Sequence, residues 1–300
     1  MKLIRGLQNL KPHLGSIVTI GNFDGVHIGH QKIIKTLINK AQTMNLPSVL
    51  VSFAPTPQHF FGHAQATLSS FKQKHALLTN LGLDEHLLIN FSMPFSQLSA
   101  DAFIQQILLD KLNVKYCLVG DDFRFGTNRT GDFSLLQTFD FEVEKTPTVF
   151  HNFDRVSSSK IRQSLKEGNF GLASQLLGRE FSISGKIIHG QKQGRTIGFP
   201  TINIPIKRKI SPLLGVLAVN VALNGKIYSG VCNLGKRPTV GGETILLEVF
   251  LFDFNNQVYG ENAEVIFKYK IRDEQKFGSF SALKQQIKSD VKDAKNFFGL

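Results

Sequence analysis

The spacing of hydrophobic residues changes once along the chain, near residue 180. Before that point, apolar runs at 17–21 and 47–53 enclose a segment, 33–41, whose apolar residues recur every three or four positions. The runs indicate strands and the spacing indicates a helix, so the chain begins with a predicted β-α-β unit. Further apolar runs, the last at 115–119, flank a helical segment for which Ser99 is the predicted N-cap. We therefore expect a parallel sheet with helices on both faces, and a nucleotide at the carboxyl ends of its strands.

From Ser182 onward, the pattern changes to short alternating or β-branched segments separated by glycines. Two such segments meet at Asn224-Gly225, a pair that is typical of tight hairpin turns. The tail, 279–298, has apolar residues at helical spacing. These patterns predict an antiparallel barrel with a C-terminal helix, and the change of pattern places the two domains at 1–180 and 181–300.

The overall composition is that of a folded protein: 42% of the 300 residues are hydrophobic and 19% are charged. The first residues contain no uninterrupted apolar region, and no run of about 18 apolar residues occurs in the chain. We therefore expect a cytoplasmic protein with no membrane partner. Cys117 and Cys232 lie far apart in apolar, strand-like segments, so we expect two buried thiols.

The formal net charge of +12 would suit nucleic acid, an anionic membrane or phosphate-bearing small molecules. The charge is spread over both halves, and the short basic run at 207–209 is smaller than the roughly five to eight residues of a binding patch. We therefore expect small-molecule substrates and no nucleic-acid partner. The sequence does not predict an oligomeric state.

A glycine-rich string, GNFDGVHIGH, lies between the first predicted strand and the first predicted helix, from Gly21 to His30. Glycines permit close approach of the backbone to a phosphate, and the free N–H groups of a helix start favour an anion. His27 and His30 would add side-chain donors at that helix start, so the string predicts a phosphate site. A metal site or a simple polar helix start would also place two histidines there.

The string resembles the HxGH motif of the nucleotidyltransferase superfamily, in which both histidines contact ATP phosphates. It also spells the HIGH motif of class I aminoacyl-tRNA synthetases, and residues 156–162 superficially resemble their second signature loop. An RNA-facing protein is therefore one alternative. A module that has kept the fold without activity is another.

Further motifs favour one family. SFAPTP at 52–57, VGDDFRFG at 119–126, Gly131-Asp132 and SSSKIR at 157–162 follow FDGVH in the chain. This ordered set resembles the FMN adenylyltransferase domain of bacterial bifunctional FAD synthetases. The resemblance implies that Ser158, Ser159 and Arg162 face the ATP triphosphate, with His27 and His30 as catalytic groups. It further implies ATP contacts at Gly21, Phe23, Asp24 and Gly29, and flavin contacts at Asp122, Phe123, Phe125 and Asn128.

The second half resembles the riboflavin kinase domain of the same family. The matching strings are GKIIHG at 185–190, GRTIGFPTIN at 194–203, NLGKRPT at 233–239, LEV at 247–249 and RDEQKF at 272–277. The resemblance implies a Rossmann-like nucleotidyltransferase domain followed by a six-stranded flavokinase barrel. It implies ATP contacts at Gly190, Lys192, Gly194 and Arg195, and flavin contacts at Arg272 and Phe277.

Three residues of the second half suit phosphoryl transfer. Thr201 and Asn203 stand two apart in a predicted strand, so their oxygens share one face, as ligands of Mg²⁺ should. Glu248 is the acid within the apolar run 244–252, where an unpaired carboxylate is costly to bury. The resemblance implies that the first two hold Mg²⁺ with ATP and that Glu248 is the catalytic base. A solvent-facing glutamate on an antiparallel strand is the alternative for Glu248.

The resemblance implies an enzyme that makes FAD from riboflavin. Riboflavin would be phosphorylated by ATP to FMN in the C-terminal domain, and FMN would be adenylylated by ATP to FAD in the N-terminal domain. Three positions depart from the family pattern: Gln191 replaces a frequent acid, Leu217 a frequent tyrosine and Phe250 a frequent histidine. These departures concern details of the flavin pocket.

Overall fold

The computed structural model describes residues 1–190, 198–206, 210–239 and 242–300. The chain divides into two compact units. One comprises Met1–Gln65 and Phe71–Ser157, and the other comprises Ala66–Ser70 and Ser158–Leu300. Each unit is built around a six-stranded sheet.

The first unit contains a parallel sheet in the strand order β1-β4-β3-β2-β5-β6. Its strands are β1 (Lys2–Arg5), β2 (Ser16–Ile20), β3 (Ser48–Ala54), β4 (Glu85–Asn90), β5 (Val114–Gly120) and β6 (Glu142–Thr146). The predicted parallel sheet is confirmed. The inner strands β2, β3 and β5 are near-unbroken apolar runs, so the middle of the sheet is buried on both faces.

Helices cover both faces of this sheet. They are α1 (Ile28–Met44), α2 (Pro57–Phe60), α3 (Phe71–Asn80), α4 (Met93–Ser96), α5 (Ala100–Phe103) and α6 (Phe133–Leu136). One apolar cluster packs Ile34 and Leu37 of α1 against the first face, and a second packs Phe103 of α5 against the other. Ser99 accepts a hydrogen bond from the N–H of Ala102 at 3.1 Å, which confirms the predicted helix cap. A two-stranded hairpin, β7 (Phe150–His151) and β8 (Asp154–Arg155), ends the unit.

The second unit begins with α7 (Ser158–Lys166) and α8 (Phe170–Leu177) and continues as an antiparallel sheet in the order β10-β13-β12-β11-β14-β9. Its strands are β9 (Ser182–Lys186), β10 (Thr201–Ile206), β11 (Gly215–Leu223), β12 (Lys226–Thr239), β13 (Gly242–Leu251) and β14 (Asn262–Arg272). The N–H of Ile188 donates to the carbonyl of Asn203 at 2.8 Å and so links the two edges. The sheet is therefore a nearly closed barrel, as predicted.

Two further predictions for this unit are confirmed. Asn224 and Gly225 join β11 to β12 with φ values of 49° and 76°, the left-handed pair that a tight hairpin requires. The tail forms α9 (Phe280–Phe298), which packs Ala294 against Ala218 and Val231 of the barrel.

The two cysteines, Cys117 in the first unit and Cys232 in the second, are free and buried, and burial raises the pKa of both thiols.

Candidate active sites

The loop between β2 and α1 has an unusual backbone. Phe23, Gly25 and Val26 all have positive φ values, 49°, 77° and 43°, and this region is costly for a β-branched residue such as Val26. The N–H of Gly21 donates to the carbonyl of Val51 at 3.0 Å, and Lys74 Nζ donates to the carbonyl of Asn22 at 3.1 Å. Strained backbone that the surroundings hold in place is frequent at functional sites.

This loop delivers His27 to the N-cap position of α1. His27 Nδ1 accepts a hydrogen bond from the backbone N–H of His30 at 3.3 Å, so the ring proton of a neutral His27 lies on Nε2. The two imidazole rings stack with their centroids 3.6 Å apart. A Cβ atom at Gly29 would lie 3.2 Å from two atoms of the His27 ring, which explains a glycine between the histidines. The predicted pair is therefore one unit at a helix N-terminus.

The Nδ1 atom of His30 is buried without a hydrogen-bond partner among the residues that the structure describes. Burial lowers the pKa of His30 well below its ordinary value, and the neighbouring His27 and Lys74 add to this effect. His30 is therefore neutral at neutral pH. With the dipole and free N–H groups of α1, the pair offers hydrogen-bond donors to an anion.

The segment after β5 contains the residues that were predicted to bind flavin in the first unit. The rings of Phe123 and Phe125 stack with centroids 5.3 Å apart, and Phe125 is packed into the core beside Phe103. Asp122 is exposed and forms an ion pair with Arg155 at 3.2 Å. Asn128 has a left-handed backbone with φ of 53° in the following turn. One loop thus holds these residues together.

An aromatic cluster near the carboxyl ends of β3 and β4 was not predicted. Phe53 and Phe91 meet at 5.8 Å between ring centroids, and Phe91 also contacts Phe60, Phe61 and Phe95 within 5.9 Å. Such a cluster can pack against a planar ring system. The signal was available in the sequence, which holds 26 phenylalanines, several of them at 53–61 and 91–95.

The serine-rich segment lies in the second unit. Ser158 and Ser159 open α7, and Arg162 follows one turn later. Arg162 Nε donates to the carbonyl of Ala66 at 2.5 Å, so this guanidinium binds the short segment Ala66–Ser70 of the same unit.

The barrel brings together three of the residues predicted for the kinase step. The register of β10 and β13 places Asn203 directly opposite Glu248, and Thr201 opposite Phe250. Alternate residues of these strands, among them Ile204 and Val249, are fully buried. The polar side chains therefore share the opposite face from this apolar set. Glu248 is half-buried on that face and is not part of the apolar core.

Glu248 forms an ion pair with Arg237, a residue that sequence reasoning missed. Asn233 is the β12 partner of Glu248, and Arg237 stands four residues further along β12 on the same face. Arg237 lies in the string NLGKRPT, which the family resemblance already singled out. Its pairing with Glu248 could not be predicted, because it depends on the β12–β13 register.

Thr201 and Asn203 fit a magnesium ion by their chemistry. Both offer neutral oxygens, and Mg²⁺ commonly takes few protein ligands together with substrate phosphates. Asn203 is buried, and its Nδ2 donates to the backbone carbonyl of Thr201 at 3.3 Å. A Cβ atom at Gly190 would lie 2.4 Å from Asn203 Nδ2, so the site requires glycine there. Gln191, Lys192, Gly194 and Arg195 lie outside the described residues.

The other predicted flavin contacts of the barrel lie near α9. Arg272 donates from Nε and Nη2 to the two carboxylate oxygens of Asp290, at 2.8 and 2.7 Å, and from Nη1 to the carbonyl of Asp273 at 3.0 Å. Its guanidinium lies 5.7 Å from the ring centroid of Phe277. Two of the residues that depart from the family pattern, Leu217 and Phe250, lie in the described part of the barrel. Leu217 is buried in the barrel, and Phe250 contacts Phe199 edge-on at 5.2 Å.

Among the residues that the structure describes, no helix combines the length and the hydropathy needed to cross a bilayer.

Comparison with known proteins covers the entire chain. The family model for FAD synthetase matches residues 10–160, and the model for riboflavin kinase matches residues 177–298. A bifunctional riboflavin kinase/FMN adenylyltransferase from Haemophilus influenzae is 45% identical over 99% of both chains. The protein of the same description from Escherichia coli K12 is 44% identical over 100% of this chain and 99% of its own.

A solved structure agrees with the fold of both units. The crystal structure described as a macrolide-efflux protein from Streptococcus pneumoniae has a TM-score of 0.82 and 30% identity, and the match covers 99% of each chain. The two chains therefore share their fold over their whole length. Together with the relatives of the same length, this shows that the chain belongs to the bifunctional riboflavin kinase/FMN adenylyltransferase family.

Proposed function

We propose that this chain makes FAD from riboflavin in two ATP-dependent steps. Residues 181–300 phosphorylate riboflavin to FMN, and residues 1–180 adenylylate FMN to FAD with release of pyrophosphate. The observation that carries this proposal is the register of β10 and β13, which sets the predicted base Glu248 against the predicted metal ligand Asn203. The second support is the separate histidine pair at the start of α1.

In the kinase step, Glu248 accepts the proton of the riboflavin 5′-hydroxyl as that oxygen attacks the γ-phosphorus of ATP. The bond from the γ-phosphorus to the bridging oxygen breaks, and ADP leaves. Arg237 holds the Glu248 carboxylate in place through their ion pair. Thr201 and Asn203 would hold Mg²⁺, which supplies positive charge to the ATP phosphates. The glycine-containing basic string around Lys192 and Arg195 is the predicted cover of those phosphates.

In the adenylylation step, a phosphate oxygen of FMN attacks the α-phosphorus of a second ATP, and pyrophosphate leaves. This nucleophile is already ionised, so the site needs stabilisation of negative charge more than it needs a base. His27 presents its Nε2–H group, and His30 stays neutral and close beside it. The roles of Ser158, Ser159 and Arg162 at the triphosphate rest on the motif resemblance.

The substrates and products, ATP, riboflavin, FMN and FAD, are small molecules. A cytoplasmic location, the absence of a nucleic-acid partner and a requirement for Mg²⁺ belong to the same proposal. The predicted flavin contacts also belong to it: Asp122, Phe123, Phe125, Asn128, Arg272 and Phe277.

The test is the product profile after purified protein is mixed with riboflavin, ATP and Mg²⁺. Chromatography should resolve FMN first and FAD later. The amount of ADP should equal the sum of FMN and FAD, and the amount of pyrophosphate should equal the amount of FAD. Unchanged riboflavin would contradict the kinase assignment. FMN that is never converted to FAD would contradict the adenylyltransferase assignment.

A further inference from the structure

Lys74 of α3 reaches the loop that carries the histidine pair. Its Nζ donates to the carbonyl oxygen of Asn22 at 3.1 Å, across 52 residues of sequence. Asn22 Nδ2 donates in turn to Gln58 Oε1 at 3.1 Å, while Asn22 Oδ1 is buried and unpartnered within the described part of the chain. The ammonium group therefore supports the backbone of the loop directly before its left-handed residues.

A polar layer surrounds this contact. Ser52 Oγ and His86 Nε2 are 2.7 Å apart, and the His86 side chain is completely buried in β4. His75, one residue after Lys74, stacks loosely on His86 with ring centroids 6.4 Å apart. Nδ1 of each of these histidines is buried and has no partner among the described residues. Such a layer is costly in a protein interior unless it serves a purpose.

The positive charge of Lys74 affects the pKa of the neighbouring His86. Burial, followed by Lys74 and His75, lowers the pKa of His86 to about 3. Burial also lowers the pKa of Lys74 itself, while the Asp24 carboxylate opposes that change. The layer thus consists of His86, which burial keeps neutral, the neighbouring His75, and Lys74, whose ammonium group binds the loop.

We propose that Lys74 is a positioning residue of the adenylyl-transfer site. Its ammonium group holds the Asn22 carbonyl and so fixes the left-handed turn that places His27 and His30 at the start of α1. The proposal rests on the adenylyltransferase function proposed above. Phe23 and Val26 hold an unfavourable backbone conformation, and without the ammonium group the turn can relax toward ordinary φ values. A displacement of about 1 Å in a catalytic group can cost about 100-fold in rate.

The test compares three variants in the full-length protein. Lys74→Met keeps the length of the side chain and removes its charge and donors. Lys74→Arg restores both. Lys72→Met is the matched control, because Lys72 is exposed on the same helix. FAD formation from FMN and FMN formation from riboflavin are measured on each preparation, with steady-state constants for ATP and the thermal midpoint.

We expect Lys74→Met to lower kcat/KM for ATP in FAD formation by about 10- to 100-fold. The KM for FMN and the rate of riboflavin phosphorylation should change less than about three-fold. Lys74→Arg should recover part of the loss, and Lys72→Met should match the wild type.

Three results would overturn the proposal. The first is Lys74→Met indistinguishable from Lys72→Met. The second is an equal loss in both activities. The third is an equal loss in Lys74→Met and Lys74→Arg together with a lowered thermal midpoint, which would indicate a purely structural lysine. Wild-type protein that forms no FAD from supplied FMN would instead refute the proposed function.

Discussion

At the scale of single residues, Glu248 carries the chemistry proposed for the barrel. We expect Glu248→Gln to lower the rate of riboflavin phosphorylation by about 10²- to 10⁴-fold, because the amide keeps the shape but cannot accept a proton. The affinity for riboflavin should change far less, since the loss falls mainly on the transition state. Steady-state assay of FMN production measures both. Glu261→Gln, at an exposed acid, is the control, and a turnover within a few-fold of it would make Glu248 an ordinary surface residue.

Substitutions at Thr201 and Asn203 test the predicted magnesium site. Loss of one oxygen ligand should raise the Mg²⁺ concentration needed for half-maximal kinase rate, so Thr201→Ala and Asn203→Ala should behave alike. Magnesium titrations of riboflavin phosphorylation measure this, with Thr244→Ala at an exposed β13 position as the control. An unchanged magnesium requirement in both variants would remove these residues from the site.

The lowered pKa of His86 predicts that the stability of the fold depends on pH. Its pKa is about 3 in the folded protein and about 6.5 as the ordinary value, so the unfolded chain binds a proton more readily. The folded protein therefore keeps its full stability above pH 6.5, where His86 is neutral in both states, and loses stability as the pH falls toward 3. The loss is about 1.4 kcal/mol per pH unit in that window. His86→Gln should flatten the dependence of the unfolding free energy between pH 6 and about 4.5. His59→Gln, at an exposed histidine, should not, and equal slopes in both variants would contradict the account.

Two further residues that sequence reasoning could not find have partners that are distant in sequence. Lys74 meets Asn22 across 52 residues, and His86 meets Ser52 across 34. A motif shows which residues are suited to phosphate or metal, as it did for His27 and Asn203. It does not show which lysine of a surface helix turns inward, because that depends on how α3 packs on the sheet.

At the scale of elements, hydrophobic periodicity was sufficient for the inner strands β2 to β5 of the first sheet and for the parallel or antiparallel class of both sheets. The edge strands β1 and β6 were not predicted, because neither is a continuous apolar run. Alternation in β13 placed Glu248 and Val249 on opposite faces before any register was known. The alternating pattern predicted the barrel but not the contact from Ile188 to Asn203 that nearly closes it, because Ile188 lies beyond the end of β9. The grouping of α7 with the second unit was also beyond it, and the predicted functional boundary near residue 180 stays a prediction.

The attachment of α9 to the barrel depends on a buried ion pair. Asp290 is 3% exposed and receives two hydrogen bonds from Arg272 and one from Gln286. Asp290→Ala should lower the unfolding free energy by about 3 to 5 kcal/mol, because it leaves the Arg272 charge unpaired. Denaturant unfolding measures this, with Asp293→Ala, at an exposed position of the same helix, as the control. A difference below about 0.5 kcal/mol between the two variants would show that the pair does not anchor the helix.

At the scale of the whole molecule, one chain combines two units that differ in sheet type and in the chemistry of their candidate sites. The first offers neutral donors at a helix start, and the second offers a carboxylate beside neutral oxygens on a barrel face. Family models match the two parts in the same order along the chain. Each of the two proposed activities should therefore be removable by mutation without loss of the other.

The most direct measurement of that claim is a flavin product profile for His30→Ala and Glu248→Gln, each supplied first with riboflavin and then with FMN. His30→Ala should convert riboflavin to FMN at close to the wild-type rate and accumulate it. Glu248→Gln should leave riboflavin largely unchanged and still convert FMN to FAD. A folded His30→Ala protein that cannot phosphorylate riboflavin, or a folded Glu248→Gln protein that cannot adenylylate FMN, would contradict the division of the two reactions between the two sites.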